Sequence, residues 1–152
     1  MLETIVLLLG QSKSSQLMDI EEHDRIVVDV DGVLAQKHPE KEYSKLTPDA
    51  DVVETLRRYD DDGFYIILNT ARNMRTYEGR MGKINAETAP TLVEWLDEHE
   101  IPYDEIHYGK PWCGHDGFYI DDNAIRPSEF VEKSPAEIRE LLSTATRRET
   151  EQ

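Results

Sequence analysis

The run Ile26-Val27-Val28-Asp29-Val30 is rich in β-branched side chains and stops abruptly at Asp31-Gly32. Such side chains are stiff at χ1 and suit a pleated, buried surface, so the run reads as a buried strand emptying into a loop. A strand apolar on both faces needs cover on both sides of its sheet, which points to a layered α/β arrangement. The following segments keep the alternation. Thr47-Pro48 reads as an N-cap with proline in the first turn, and Val52, Val53, Leu56 and Tyr59 recur at helical spacing until Gly63. A second buried strand is expected over residues 64–69. A helix over 85–99 follows, with Leu92, Val93 and Leu96 on one face and Trp95 in the core; Pro102 separates it from a short strand near Ile106. Phe118-Tyr119-Ile120 reads as a fourth strand ending at Asp121-Asp122. Ser134-Pro135-Ala136-Glu137 is a capping box that opens a final helix burying Ile138, Leu141 and Leu142.

The expected fold is α/β, a parallel sheet with helices on both faces, and ligands in such sheets bind at the carboxyl ends of the strands. A length of 152 residues suits one domain with one core. Residues 25–146 are expected to form that domain, and 147–152 a charged tail. Residues 1–24 read as an appendage, with an edge strand, a docking helix and a partly ordered arm all open. There is no internal repeat or low-complexity segment.

The formal charge of −15 makes a field that repels nucleic-acid backbones and anionic membranes, so neither is an expected partner. The same field repels phosphorylated ligands, so a phosphate-handling site here needs a metal and a local cluster of basic residues. The single cysteine, Cys113, rules out an internal disulfide and fits a reducing compartment. The apolar start, Ile5 to Leu9, lacks a basic leader and is too short to span a bilayer, which makes the cytoplasm the expected location.

Asp29 and Asp31 lie two apart where a strand ends, able to present two carboxylates and the intervening carbonyl to one point. A loop entry that merely favours Asp and Gly explains that pair about as well. Thr70 ends the second expected strand, Lys110 follows the third and Asp121-Asp122 end the fourth, which adds a hydroxyl, an ammonium and two carboxylates at the same sheet edge. Coincidence becomes a poor account of the whole set. A hard cation such as Mg²⁺ takes oxygen ligands of this kind. A transferring phosphoryl group spreads charge over its oxygens, so a metal, a lysine and a hydroxyl are its appropriate partners.

The ordered set Asp29-Val-Asp31-Gly32-Val33, Thr70, Lys110 and Asp121-Asp122 resembles the four motifs of the haloacid-dehalogenase-like (HAD) superfamily, whose core is Rossmann-like. A response-regulator receiver domain also has acids, a Thr and a Lys, but there the paired acids precede the phosphorylated aspartate. The resemblance implies that Asp29 is the nucleophile and Asp31 the general acid/base of a phosphatase, with Thr70 and Lys110 on the phosphoryl oxygens. It also implies a Mg²⁺ site made from Asp29, the Asp31 carbonyl and Asp121, with Asp122 a ligand through water or an orienting neighbour.

A narrower resemblance lies in Asn69-Thr-Ala-Arg72-Asn-Met-Arg75-Thr-Tyr-Glu-Gly79, Gly82-Lys-Ile-Asn85, Gly109-Lys-Pro-Trp-Cys-Gly-His115 and Asp121-Asp-Asn-Ala-Ile-Arg-Pro127. These are similar to small HAD proteins of capsule or surface-polysaccharide biosynthesis, which implies a phosphorylated sugar or related small metabolite as substrate. Position 33 is Val where many of these phosphatases have Thr.

Residues 70–85 carry a net +3, from Arg72, Arg75, Arg80 and Lys83 against Glu78. This is the local cluster that the acidic field requires. Arg72, Asn73, Arg75 and Lys83 are therefore candidate substrate-binding residues, the alternative being a solvated loop. Cys113 and His115 lack the partner pair that a tetrahedral zinc site needs. Trp112 and Tyr77 are candidates for stacking on a sugar ring, and His38 for the pocket mouth.

Neither the gap between Asp31 and the second strand nor that between Thr70 and Lys110 holds a separate cap domain. An open site accepts bulky substrates or is closed by a neighbouring subunit, so a homo-oligomer is one expected partner arrangement. The rival readings are a capless protein or polynucleotide-end phosphatase and a non-catalytic module that binds a phosphorylated ligand. A binding module has no need of Asp31.

Overall fold

The computed structural model describes residues 24–145. The appendage, apart from its last residue, and the charged tail 147–152 lie outside the described residues. Strands β1 (Arg25–Val28), β2 (Tyr65–Thr70) and β3 (Glu105–Tyr108) form one parallel sheet in that spatial order. Val28 lies opposite Leu68, and Thr70 opposite Tyr108, so the strands leave the sheet at neighbouring points.

Parallel strands need long crossovers. A loop, a 3-10 turn (Tyr43–Lys45) and helix α1 (Ala50–Asp61) join β1 to β2. A second loop and helix α2 (Met81–Glu98) join β2 to β3, and short helices α3 (Pro127–Glu132) and α4 (Pro135–Ala145) follow. One sheet face carries the core, with Ile66 and Leu68 fully buried beside Val28. On the other face Val27 is 61% exposed. Helices flank the sheet as expected, but among the described residues the apolar run of β1 is not equally covered on its two sides.

The expected apolar positions of α1, Val52, Val53, Leu56 and Tyr59, are all buried. Its start is corrected from Thr47 to Asp49, whose carboxylate accepts the Val52 N–H at 3.2 Å. The Thr47 carbonyl instead accepts the Gln36 N–H, and Pro48 bridges Ala35. A residue preceding proline is disfavoured in the α region, so the chain stays extended one step longer. Helix α2 starts at Met81 rather than Asn85 and contains Pro90 on an exposed side, where water can serve the carbonyl left without its donor. Trp95 is core, its indole N–H donating to the Leu46 carbonyl at 2.8 Å. Phe130 of α3 packs on Tyr59 with ring centroids 5.1 Å apart, and Tyr59 meets Phe64 edge-on.

The fourth strand is a correction. Residues 111–124 run as an irregular loop, with Phe118 77% and Ile120 90% exposed. A three-residue apolar run between Gly117 and two aspartates offers few ladder bonds, and Tyr119 instead turns its hydroxyl onto the Pro111 carbonyl. The capping box of α4 forms, with Ser134 and Glu137 exchanging bonds of 2.7 and 3.2 Å. Ile138, Leu141 and Leu142, however, are only half-buried. No helix among the described residues is long and apolar enough to cross a membrane.

Leu68→Ala, at the centre of the sheet, should lower unfolding stability by about 2–5 kcal/mol, whereas Val27→Ala should cost well under that because its methyls already meet solvent. Urea titrations should show the first as a shifted midpoint at unchanged slope. Equal shifts would place the core on the wrong face.

Candidate active site

Asp29 stands one residue beyond β1, and its Oδ1 accepts the Val30 N–H at 2.8 Å. Its other oxygen lies 3.4 Å from Lys110 Nζ, with the Asp29 side chain 33% and the Lys110 side chain 18% exposed. Lys110 owes its place to the backbone. Gly109 turns with φ +86°, and a Cβ there would sit 2.7 Å from Met81 Sδ, so no larger residue fits without displacing that side chain. The Lys110 N–H then donates to the Thr70 carbonyl at 3.1 Å, which carries the β2–β3 pairing one step past the strand. The ammonium also lies 4.4 Å from the centre of the Tyr119 ring. Burial pushes the Tyr119 phenol up, and Cys113 and the Asp29 charge add to this.

Asp31 occupies a different environment. The Val30 carbonyl collects the N–H groups of Val33, Leu34 and Ala35 at 3.2, 2.9 and 2.9 Å, folding the loop tightly beneath Asp31. Its carboxylate is gripped by both forks of Arg72, Nε to Oδ2 at 3.1 Å and Nη2 to Oδ1 at 2.8 Å. The Arg72 side chain is 1% exposed and the Asp31 side chain 23%. Tyr43 covers the guanidinium, its ring centre 4.3 Å from Cζ. Burial raises the Tyr43 phenol and Asp31 adds to the rise, while Arg72 opposes it. Arg72 Nη1 is buried without a hydrogen-bond partner among the described residues. Thr70 is fully buried, and its Oγ1 accepts the Arg72 N–H at 3.0 Å.

The other basic-loop residues divide by partner. Asn73, at φ +61°, accepts a bond from Thr88 at 2.8 Å and so staples the loop to α2. Lys83 pairs with Glu87 one helical turn away at 3.5 Å, both about half exposed. Such a pair contributes only about 0.3–0.5 kcal/mol. Arg75 is exposed, 3.2 Å from His115 Nε2 and 5.4 Å from the centre of the Trp112 ring. It ties the loop after β2 to the loop after β3. Arg72 has its charged head on Asp31 instead of toward solvent.

Asp121 and Asp122 are exposed on the 111–124 loop, and the Asp121 carboxylate accepts the Asn123 N–H at 2.8 Å. Among the described residues no three His, Cys, Asp or Glu side chains gather as a metal would need. The carboxylates of Asp29 and Asp31 are each engaged by a cation. Asp121 and Asp122 do not gather with Asp29 and Asp31 here, so a metal held by Asp29, the Asp31 carbonyl and Asp121 would require the 111–124 loop to bring Asp121 to Asp29. A surface groove along α2, lined among others by Pro90, Val93 and Asp97, holds none of the candidate residues.

Sequence pattern pointed to Asp29, Asp31, Thr70 and Lys110, but not to Tyr43, Tyr119 or Thr88. Those three act through the fold and carry no spacing signal.

The two aspartates should differ in their effect on stability. Asp31→Ala strands a buried guanidinium and should cost about 3–5 kcal/mol, whereas Asp29→Ala removes one partner of a more open pair and should cost about 1 kcal/mol or less. Denaturant unfolding of both proteins checks the difference, and equal losses would contradict the assigned burial.

No protein-family model and no curated protein matches the chain. Among solved structures it resembles a structural-genomics target from Vibrio cholerae, with 54% identity, coverage of 81% of this chain and 99% of that one, and a TM-score of 0.78. Two structures of the Pnkp1/Rnl/Hen1 complex, one described as an RNA repair complex, align at 20% identity over 74% of this chain and 36% and 33% of theirs. Their TM-scores of 0.43 and 0.42 are too low to say anything about this chain. With more than half of the aligned residues identical across nearly the whole of the Vibrio cholerae protein, this chain belongs to the same family as that target.

Proposed function

We propose that this chain is a HAD-type phosphomonoester hydrolase that forms a phosphoaspartate on Asp29, acting in the cytoplasm on a phosphorylated sugar or related small metabolite. One observation carries the reading: two carboxylates two residues apart are held by different cations, Asp29 on the partly open Lys110 and Asp31 on the buried Arg72. That division suits a nucleophile and a separately held proton-transfer group. The narrower motif resemblance supports the substrate class.

In the proposed reaction a carboxylate oxygen of Asp29 attacks phosphorus in line, and the P–O bond to the alcohol breaks. Asp31 in its protonated form gives its proton to that leaving oxygen. Water then attacks the aspartyl phosphate, loses a proton to Asp31, and releases phosphate and the Asp29 carboxylate. In this reading Lys110 meets the phosphoryl oxygens as charge builds on them, and the Thr70 hydroxyl donates to one, the role that the motif resemblance gives it. Mg²⁺ is proposed as the cofactor that the motif resemblance implies, with Asp29, the Asp31 carbonyl and Asp121 as the groups that would hold it and Asp122 beside them; it would neutralise phosphoryl charge. Arg75, exposed beside Trp112, is the proposed contact to the rest of the substrate.

The Asp29→Asn protein should fall to background turnover, while Asp31→Asn should lose about 10²–10⁴ in turnover of an alkyl phosphate, the usual worth of general acid/base catalysis. Steady-state assays of both check this, and an active Asp29→Asn protein would refute the nucleophile. Excess chelator should abolish activity and Mg²⁺ restore it; full activity in chelator would remove the metal from the account. Arg75→Ala should raise KM on the best substrate by roughly tenfold or more if a charge-assisted contact of about 1.5–3 kcal/mol is lost. An unchanged KM would make Arg75 a surface residue only.

A further inference from the structure

We infer that Arg72 is a positioning residue for Asp31, fixing the plane and rotamer of that carboxylate for its two proton transfers, and that Tyr43 locks Arg72 in place. This rests on the reaction proposed above. The guanidinium spends Nε and Nη2 on the two oxygens of one carboxylate, at 3.1 and 2.8 Å. A bidentate fork sets direction as well as distance, which a single ammonium contact cannot do. With the Arg72 side chain 1% exposed, the fork has almost no conformational freedom to lose. Its backbone is anchored as well, because its N–H bonds to Thr70 Oγ1 at 3.0 Å, which ties Asp31 through one residue to the end of β2. Tyr43 closes the other side, 4.3 Å from Cζ.

A free Asp side chain samples several χ1 wells. Proton transfer needs the carboxyl within hydrogen-bond reach of the leaving oxygen and later of water. The fork takes one lone-pair direction on each oxygen, and a carboxylate has about four such sites in all. The remaining directions are left for the proton that moves. Net charge alone would not call for this geometry, since Lys110 already supplies a cation at the same strand edge. Arg72 thus acts on the reaction through Asp31, without contacting the substrate.

A positioning role separates from a phosphate-binding or purely structural one in pre-steady-state kinetics with a nitrophenyl phosphate. That leaving group needs little protonation, so Arg72→Ala should keep a fast first step and lose the water-activating second step. The expected result is a burst of nitrophenolate close to one equivalent, then a slow steady state, with alkyl phosphate turnover reduced at least tenfold in kcat and little changed in KM. Arg72→Lys keeps the charge without the fork and should show the same burst. Loss of the burst with a raised KM, or full recovery by Arg72→Lys, would overturn the inference. Where the Arg72 variants fail to fold, hydrogen exchange in the native protein and in Asp31→Asn still decides. An Arg72 Nε–H resonance in slow exchange, lost in Asp31→Asn, is expected, and a rapidly exchanging Nε–H would overturn the proposal. A native protein that hydrolyses no phosphomonoester but shows the protected resonance would instead contradict the phosphatase reading and leave the clamp standing as a structural contact, which also overturns its catalytic role.

Discussion

The parallel pairing of β2 with both of its neighbours is the constraint on which the site depends. With Val28 opposite Leu68 and Thr70 opposite Tyr108, the three strands end within one or two residues of the same level. Asp29, Thr70 and Lys110 follow from that register. A slip of one residue in either pair would turn the buried face of β2 outward and move Thr70 away from the lysine. The burial of Ile66 and Leu68 resists such a slip, so the core and the site are secured by the same interactions. The extra bond from Lys110 N–H to the Thr70 carbonyl carries that security past the last strand residue.

Charge then decides how an acidic chain can present an edge to an anion. The molecule carries −15 overall, yet its two central carboxylates are each matched by a basic group, Asp29 by Lys110 and Asp31 by Arg72. At short range the pairs nearly cancel, and beyond about 8–10 Å salt screens the rest of the surface. A phosphate group approaching the strand ends thus meets a locally balanced field. The two pairs are unequal, because the more exposed one can exchange partners with a ligand while the buried one cannot do so cheaply.

Much of this was legible in the residues. The β-branched run, the helical spacing of Val52 to Tyr59 and the Ser134 capping box all reflect local physics, and each formed an element. Asp29, Thr70 and Lys110 were legible as a set because their positions follow from where strands stop. Phe118-Tyr119-Ile120 was misread for the opposite reason: apolar β-type residues predict a strand only if an edge receives them, and pairing is not a local property. The role of Arg72 was hidden for a similar reason. A basic residue in a polar loop looks solvent-facing, and only the fold brings Asp31 and Tyr43 around it.

The central claim is that the Asp29 carboxylate forms a covalent bond to phosphorus, and trapping that bond tests it most directly. Protein mixed with an aryl phosphate, quenched in acid within milliseconds and digested for peptide mass spectrometry, should carry a single acid-stable, base-labile phosphoryl group. The account predicts it on the peptide spanning β1 and its loop, at Asp29. Phosphate on Asp31, Thr70, Asp121 or any other residue, or turnover with no trapped adduct in either the native protein or the Asp31→Asn variant, would contradict it.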